Sequence, residues 1–105
     1  MAVTSKALFR GAATTTTTTV LYTVPASTTT VVTNIAVTNT GSSSYTFTLG
    51  MGPAASQVSL HTTTTIAANT TVYIDCKQVL SATNTITGGA SNTAVNFHIS
   101  GVEIA

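Results

Sequence analysis

Apolar and polar residues alternate through most of the chain. Tyr45-Thr46-Phe47-Thr48-Leu49 puts three large apolar side chains on one face and threonines on the other. Val95-Asn96-Phe97-His98-Ile99 does the same, with Asn96 and His98 opposite the apolar three. Val72-Tyr73-Ile74-Asp75-Cys76 groups Val72, Ile74 and Cys76, and Asn34-Ile35-Ala36-Val37-Thr38 continues a pattern that begins at Val31 and Val32. A period of two describes strands buried on one side, because successive side chains point to opposite faces of a sheet. Turn-forming clusters separate these runs: Pro25-Ala26-Ser27, Thr40-Gly41-Ser42-Ser43-Ser44, Gly50-Met51-Gly52-Pro53, Ala67-Ala68-Asn69 and Gly88-Gly89-Ala90-Ser91-Asn92. Strands are expected near 4–10, 18–24, 30–39, 44–51, 57–63, 70–79, 84–87 and 93–104. The prediction is an all-β chain: one antiparallel β-sandwich of about seven or eight strands over the whole sequence. Alternation does not encode strand order, so a jelly-roll and an immunoglobulin-like topology both fit.

Some stretches are less regular. Ser5 to Arg10 reads either as the first strand or as a short capped helical turn, and residues 1–13 as an edge strand or an N-terminal arm. In the last strand the apolar positions slip from Val95, Phe97 and Ile99 to Val102 and Ile104. A bulge at Gly101 would return both halves to one face and turn Glu103 outward. Lys77-Gln78-Val79-Leu80 reads as a corner leaving the sheet. The runs Thr14–Thr19 and Thr62–Thr65 have no apolar face and read as exposed loop or strand edge.

Composition narrows the function. Only 5% of the 105 residues are charged, against about 25% in typical soluble domains, while 26 are Thr. Three cations, Lys6, Arg10 and Lys77, do not make a basic face for nucleic acid. With a net charge of +1, hydroxyls and amides must hydrate the exposed surface, and much of that surface is expected to pack in an assembly. No apolar segment long enough to span a membrane occurs, and the N-terminus lacks the apolar core of a signal peptide, so a protein made in the cytoplasm, or one that leaves by a route needing no such signal, is expected.

Few residues offer chemistry. Asp75 and Glu103 are the sole acids, each flanked by apolar residues as on the outer face of a strand. His61 and His98 lack metal-binding spacing; with Asp75 they would make a three-ligand site only if the fold brought them together. Cys76 shares parity with Val72 and Ile74 and reads as a small core residue. Gly50-Met51-Gly52 is followed by Pro53 and no helix, so it is a turn and not a phosphate cradle. The consecutive threonines put neighbours on opposite faces, which argues against a flat ice-binding ladder. With no Trp, a sugar platform would depend on tyrosines, of which Tyr73 alone points outward while Tyr22 and Tyr45 follow core parity. No catalytic residue and no cofactor is expected.

Phrases along nearly the whole chain resemble small β-sandwich virion proteins of tailed bacteriophages. They are Lys6-Ala7-Leu8-Phe9-Arg10-Gly11, Leu21-Tyr22-Thr23-Val24-Pro25-Ala26, Val32-Thr33-Asn34-Ile35, Asn39-Thr40-Gly41, Ile66-Ala67-Ala68-Asn69-Thr70-Thr71, Lys77-Gln78-Val79-Leu80 and His98-Ile99-Ser100-Gly101-Val102-Glu103-Ile104. The resemblance implies a non-catalytic capsid-decoration or minor tail protein, made in the bacterial host cytoplasm and located in the virion. It implies a homo-oligomer, with a trimer favoured, that contacts major capsid or tail proteins. A carbohydrate-binding or host-attachment module is the alternative, and a small metal-dependent hydrolase using His61, His98 and Asp75 a third. Lys6, Leu8, Phe9 and Arg10, an apolar pair between two cations, are the expected docking contacts.

Overall fold

A computed structural model describes residues 2–53, 56–75 and 77–105, so the expectation for Cys76 lies outside the described residues. The strands are β1 (Val3–Ala12), β2 (Val20–Thr23), β3 (Thr29–Asn39), β4 (Tyr45–Gly52), β5 (Val58–Ile66), β6 (Thr70–Ile74), β7 (Gln78–Leu80), β8 (Thr85–Ala90) and β9 (Val95–Ile104). All pairings are antiparallel. One sheet runs β1-β9-β3-β6, with β7 also paired to β3, and the other runs β2-β8-β4-β5. If β6 and β7 are taken as one interrupted strand, first pairs with last, second with second-last, and so on inward. That nested wrapping over two sheets is the jelly roll.

The core lies between the sheets. Phe47 of β4 meets Phe97 of β9 edge to face, with ring centroids 6.3 Å apart. Ile35, Val37, Leu49, Ile86, Val95 and Ile99 surround them, all fully buried. These are the inward positions of the alternating runs. β-Branched residues suit this packing because their stiff side chains sit well on a pleated surface.

Of the two readings of Ser5 to Arg10 the strand holds: β1 pairs with β9 from Val3↔Ile104 to Ala12↔Asn96. Four expectations need correction. Gly50-Met51-Gly52 is not a turn but the paired end of β4 (Gly50↔Thr87, Met51↔Ile86). Lys77 to Leu80 does not leave the sheet, since Gln78–Leu80 returns to pair with β3 (Val31↔Val79). Gly88-Gly89-Ala90 is not loop but the buried end of β8. Gly89 is needed because the Thr14–Thr19 loop lies directly on it: a Cβ there would collide with the Thr16 backbone. Thr19 and Thr14 carbonyls accept from the Gly88 and Ala90 amides, at 3.0 and 2.9 Å.

The fourth correction concerns Gly101. β9 itself keeps strict parity, and the extra residues sit in both of its neighbours. On β1 the register jumps between Ala7 and Phe9; on β3 it jumps between Val32 and Asn34. The first bulge explains why Leu8 and Phe9, adjacent in sequence, both face the core. The second explains the three-residue step from buried Val32 to buried Ile35. Both bulges flank Gly101, where a Cβ would stand 2.5 Å from the Val31 carbonyl oxygen and 2.9 Å from Leu8 Cδ1. Parity along β9 therefore turns Glu103 inward, with Val102 and Ile104 outward, the reverse of the expectation.

Candidate functional site

Glu103 reaches between the sheets. Its Oε2 accepts from the Tyr22 hydroxyl at 2.5 Å, while Tyr22 and Thr30 hydroxyls lie 2.9 Å apart. Lys6 Nζ adds an ion pair at 3.4 Å. Tyr22 comes from β2, its partners Thr30 and Glu103 from β3 and β9, and Lys6 from β1, so the cluster ties the two sheets together at one end. Burial, then the hydrogen bond to Glu103, push the Tyr22 phenol up to about 12. The hydrogen bond from Tyr22, followed by the weaker help of Lys6, holds the Glu103 carboxyl below its ordinary value. A carboxylate kept ionised and saturated by donors is a poor general acid or base, because neither proton uptake nor release is poised near neutral pH. The cluster buttresses the fold. Sequence reasoning missed it because the slip at Gly101 pointed to a bulge in β9; the inward partner that could have signalled it, Tyr22, is remote in sequence.

The metal candidates do not converge. His61 lies on β5 of the second sheet, against the Phe47 ring with centroids 5.6 Å apart. His98 is exposed on the outward face of β9. Asp75 is exposed past the end of β6 and pairs with Lys77 at 3.2 Å. Among the described residues no three His, Cys, Asp or Glu side chains are grouped so as to hold a metal ion. No described helix is long and apolar enough to cross a membrane.

A cleft of about 180 Å³ opens beside the Thr14–Thr19 loop, lined by Thr17, Thr18, Thr48, Gln57, Ser59 and Thr87 among others. The polar side chains of its lining residues are hydroxyls and one amide, with no titratable side chain among them. The Gln57 amide is already engaged, donating to Gly52 O at 2.8 Å and Thr85 Oγ1 at 2.6 Å and accepting from Thr87 Oγ1 at 3.0 Å.

The four expected docking residues divide. Leu8 is buried and Phe9 packs against the core. Lys6 is tied to Glu103, and Arg10 stands exposed, with no ion pair among the described residues. Tyr73 is 72% exposed on the outer face of β6, while Tyr22 is buried and Tyr45 packs on the core. What remains as accessible surface is sheet faces and sheet edges. That arrangement offers contact area and unpaired backbone groups.

No protein-family profile and no curated protein matches the chain. Solved structures share its fold. A chain from the structure of infectious bursal disease virus, Gx strain, matches with a TM-score of 0.58 and 13% identity, over 97% of this chain and 32% of that one. A chain of the T13 IBDV viral particle matches with a TM-score of 0.57 and 10% identity, over 97% of this chain and 30% of its own length. The Gt strain of infectious bursal disease virus gives 0.51 and 8%, over 97% and 32%. At such identities the likeness is one of fold. This chain spans about a third of the length of the chains it matches.

Proposed function

We propose that the chain is a non-catalytic structural component of a virion, decorating a capsid surface or forming a minor part of a tail. One observation carries this reading: 97% of the chain aligns in fold with about a third of chains from viral particles, at TM-scores of 0.58 and 0.57. Jelly rolls are used in viral capsids and in lectins, so fold alone leaves both classes open. The surface favours the first. An isolated exposed tyrosine, Tyr73, is little for sugar stacking, whereas a charge-poor exterior suits a protein whose faces are covered by copies and neighbours. Self-association into a closed ring, a trimer in our reading, would also remove sheet edges that otherwise invite aggregation.

The test is co-sedimentation. Tagged chain expressed during assembly of its cognate particle should band with gradient-purified particles at a fixed copy number and resist washing in high salt. Absence from the particle band, with the folded chain left at the top of the gradient, would overturn the proposal. Saturable binding on a glycan array without particle association would favour the attachment module instead.

A further inference from the structure

The four sheet edges differ. β5 is bulged at two places along β4, with Thr63 at φ 47°, which disrupts its outer ladder. β2 is four residues long and is continued by the Thr14–Thr19 loop along β8. By contrast β1 leaves ten residues open on its outer side, and β6 leaves five on the other flank of the same sheet.

These two open edges match. Residue rows cross the sheet from β1 to β6: Phe9–Ile99–Ile35–Ile74, Arg10–His98–Ala36–Tyr73, Gly11–Phe97–Val37–Val72 and Ala12–Asn96–Thr38–Thr71. The first and third rows face the core; the second and fourth face out. Three successive antiparallel pairings make β6 run opposite to β1. A second copy set beside β6 without reversal therefore presents its β1 antiparallel. Joining the rows would put Phe9 next to Ile74 and Gly11 next to Val72, sealing apolar side chains that are only partly buried at the two ends of the core. On the outer face Arg10 would meet Tyr73, whose ring is open to a guanidinium stack. Asp75, two residues on, supplies the acid that Arg10 lacks. Its present partner, Lys77, is an exposed one at 3.2 Å and exchanges readily.

We infer that β1 of one copy adds to β6 of the next, antiparallel, with Arg10 opposite Tyr73 of that next copy. The contact is head-to-tail, so repetition closes a ring or extends a filament. It deepens the structural reading above by naming the self-contact on which that reading draws.

Cross-linking tests it. Directly opposed residues on paired strands have Cα atoms about 4.5–5.5 Å apart, within disulfide range. In a Cys76→Ser background, Arg10→Cys with Tyr73→Cys should give covalent multimers on a non-reducing gel after mild oxidation. Each single variant should stay monomeric on the gel, and an equal mixture of the two should stop at dimers. Both positions are exposed, so folding, checked by circular dichroism, should be unchanged. A folded double variant that yields no covalent species would overturn the inference, as would dimers from Arg10→Cys alone. Specific cross-links in a chain absent from particles would keep this contact and remove the virion role.

Discussion

Replacing Tyr22 with Phe removes one oxygen from the Lys6–Glu103–Tyr22–Thr30 cluster and leaves the ring in place. The lost hydrogen bond to an ionised carboxylate is worth about 1.5–3 kcal/mol. Thr30 is fully buried and bonds through its hydroxyl to Tyr22 alone among the described residues, so a second polar group is stranded. Together the expected loss is about 2–4 kcal/mol, a large part of the ~5–15 kcal/mol typical of a domain. The assay is urea unfolding at pH 7 and fixed protein concentration, since self-association would otherwise shift the midpoint.

The same variant has a pH signature. Glu103 titrates below its ordinary value when folded, so its stabilisation is present above the unfolded pKa near 4.5 and is lost as pH falls through the depressed folded value. The gap between wild type and Tyr22→Phe should narrow on acidification across that window. At the alkaline end the sign is opposite. The Tyr22 phenol rises from 10.0 to about 12, so its contribution is complete below pH 10 and disappears between 10 and 12, in wild type only. A Tyr22→Phe protein within about 0.5 kcal/mol of wild type at pH 7, or a gap that does not change with pH, would refute the reasoning.

Gly101→Ala should lower stability by about 1–3 kcal/mol in thermal unfolding, because the added methyl meets the Val31 carbonyl and β3 must shift. Asn39→Ala should cost about 2–3 kcal/mol and speed hydrogen exchange at Gly41; Asn39 donates to Ser43 O at 2.8 Å and Ile66 O at 3.2 Å and accepts from Gly41 N at 2.9 Å. Zinc and EDTA should each leave the thermal midpoint of the native chain unchanged, as expected if His61, His98 and Asp75 stay on separate surfaces; a saturable rise with zinc would restore the metal reading.

The strands at Tyr45 and Val95 were legible because alternation there runs unbroken, and the core residues Phe47, Leu49, Phe97 and Ile99 follow from it. The bulges at Leu8 and Thr33 were not. An extra residue in one strand flips the inward set, and nothing in the local pattern says which of two paired strands carries it. The slip at Val102 and Ile104 is visible in the sequence, but the extra residues lie in β1 and β3, which is why Glu103 faces inward. Gly88-Gly89 looks like loop sequence because its small side chains serve a close approach by a threonine run far upstream, a contact no window of local sequence contains. The Glu103–Tyr22 pair spans 81 residues for the same reason. Strand order, and with it the open edges of β1 and β6, depends on such long-range pairing throughout.

The most direct measurement is a reconstruction of the intact cognate particle by cryo-electron microscopy, at a resolution that traces strands. We predict two-sheet density fitting this jelly roll at symmetric positions on the head or tail, joined between copies along β1. A fully traced particle in which every density belongs to other chains would contradict the account.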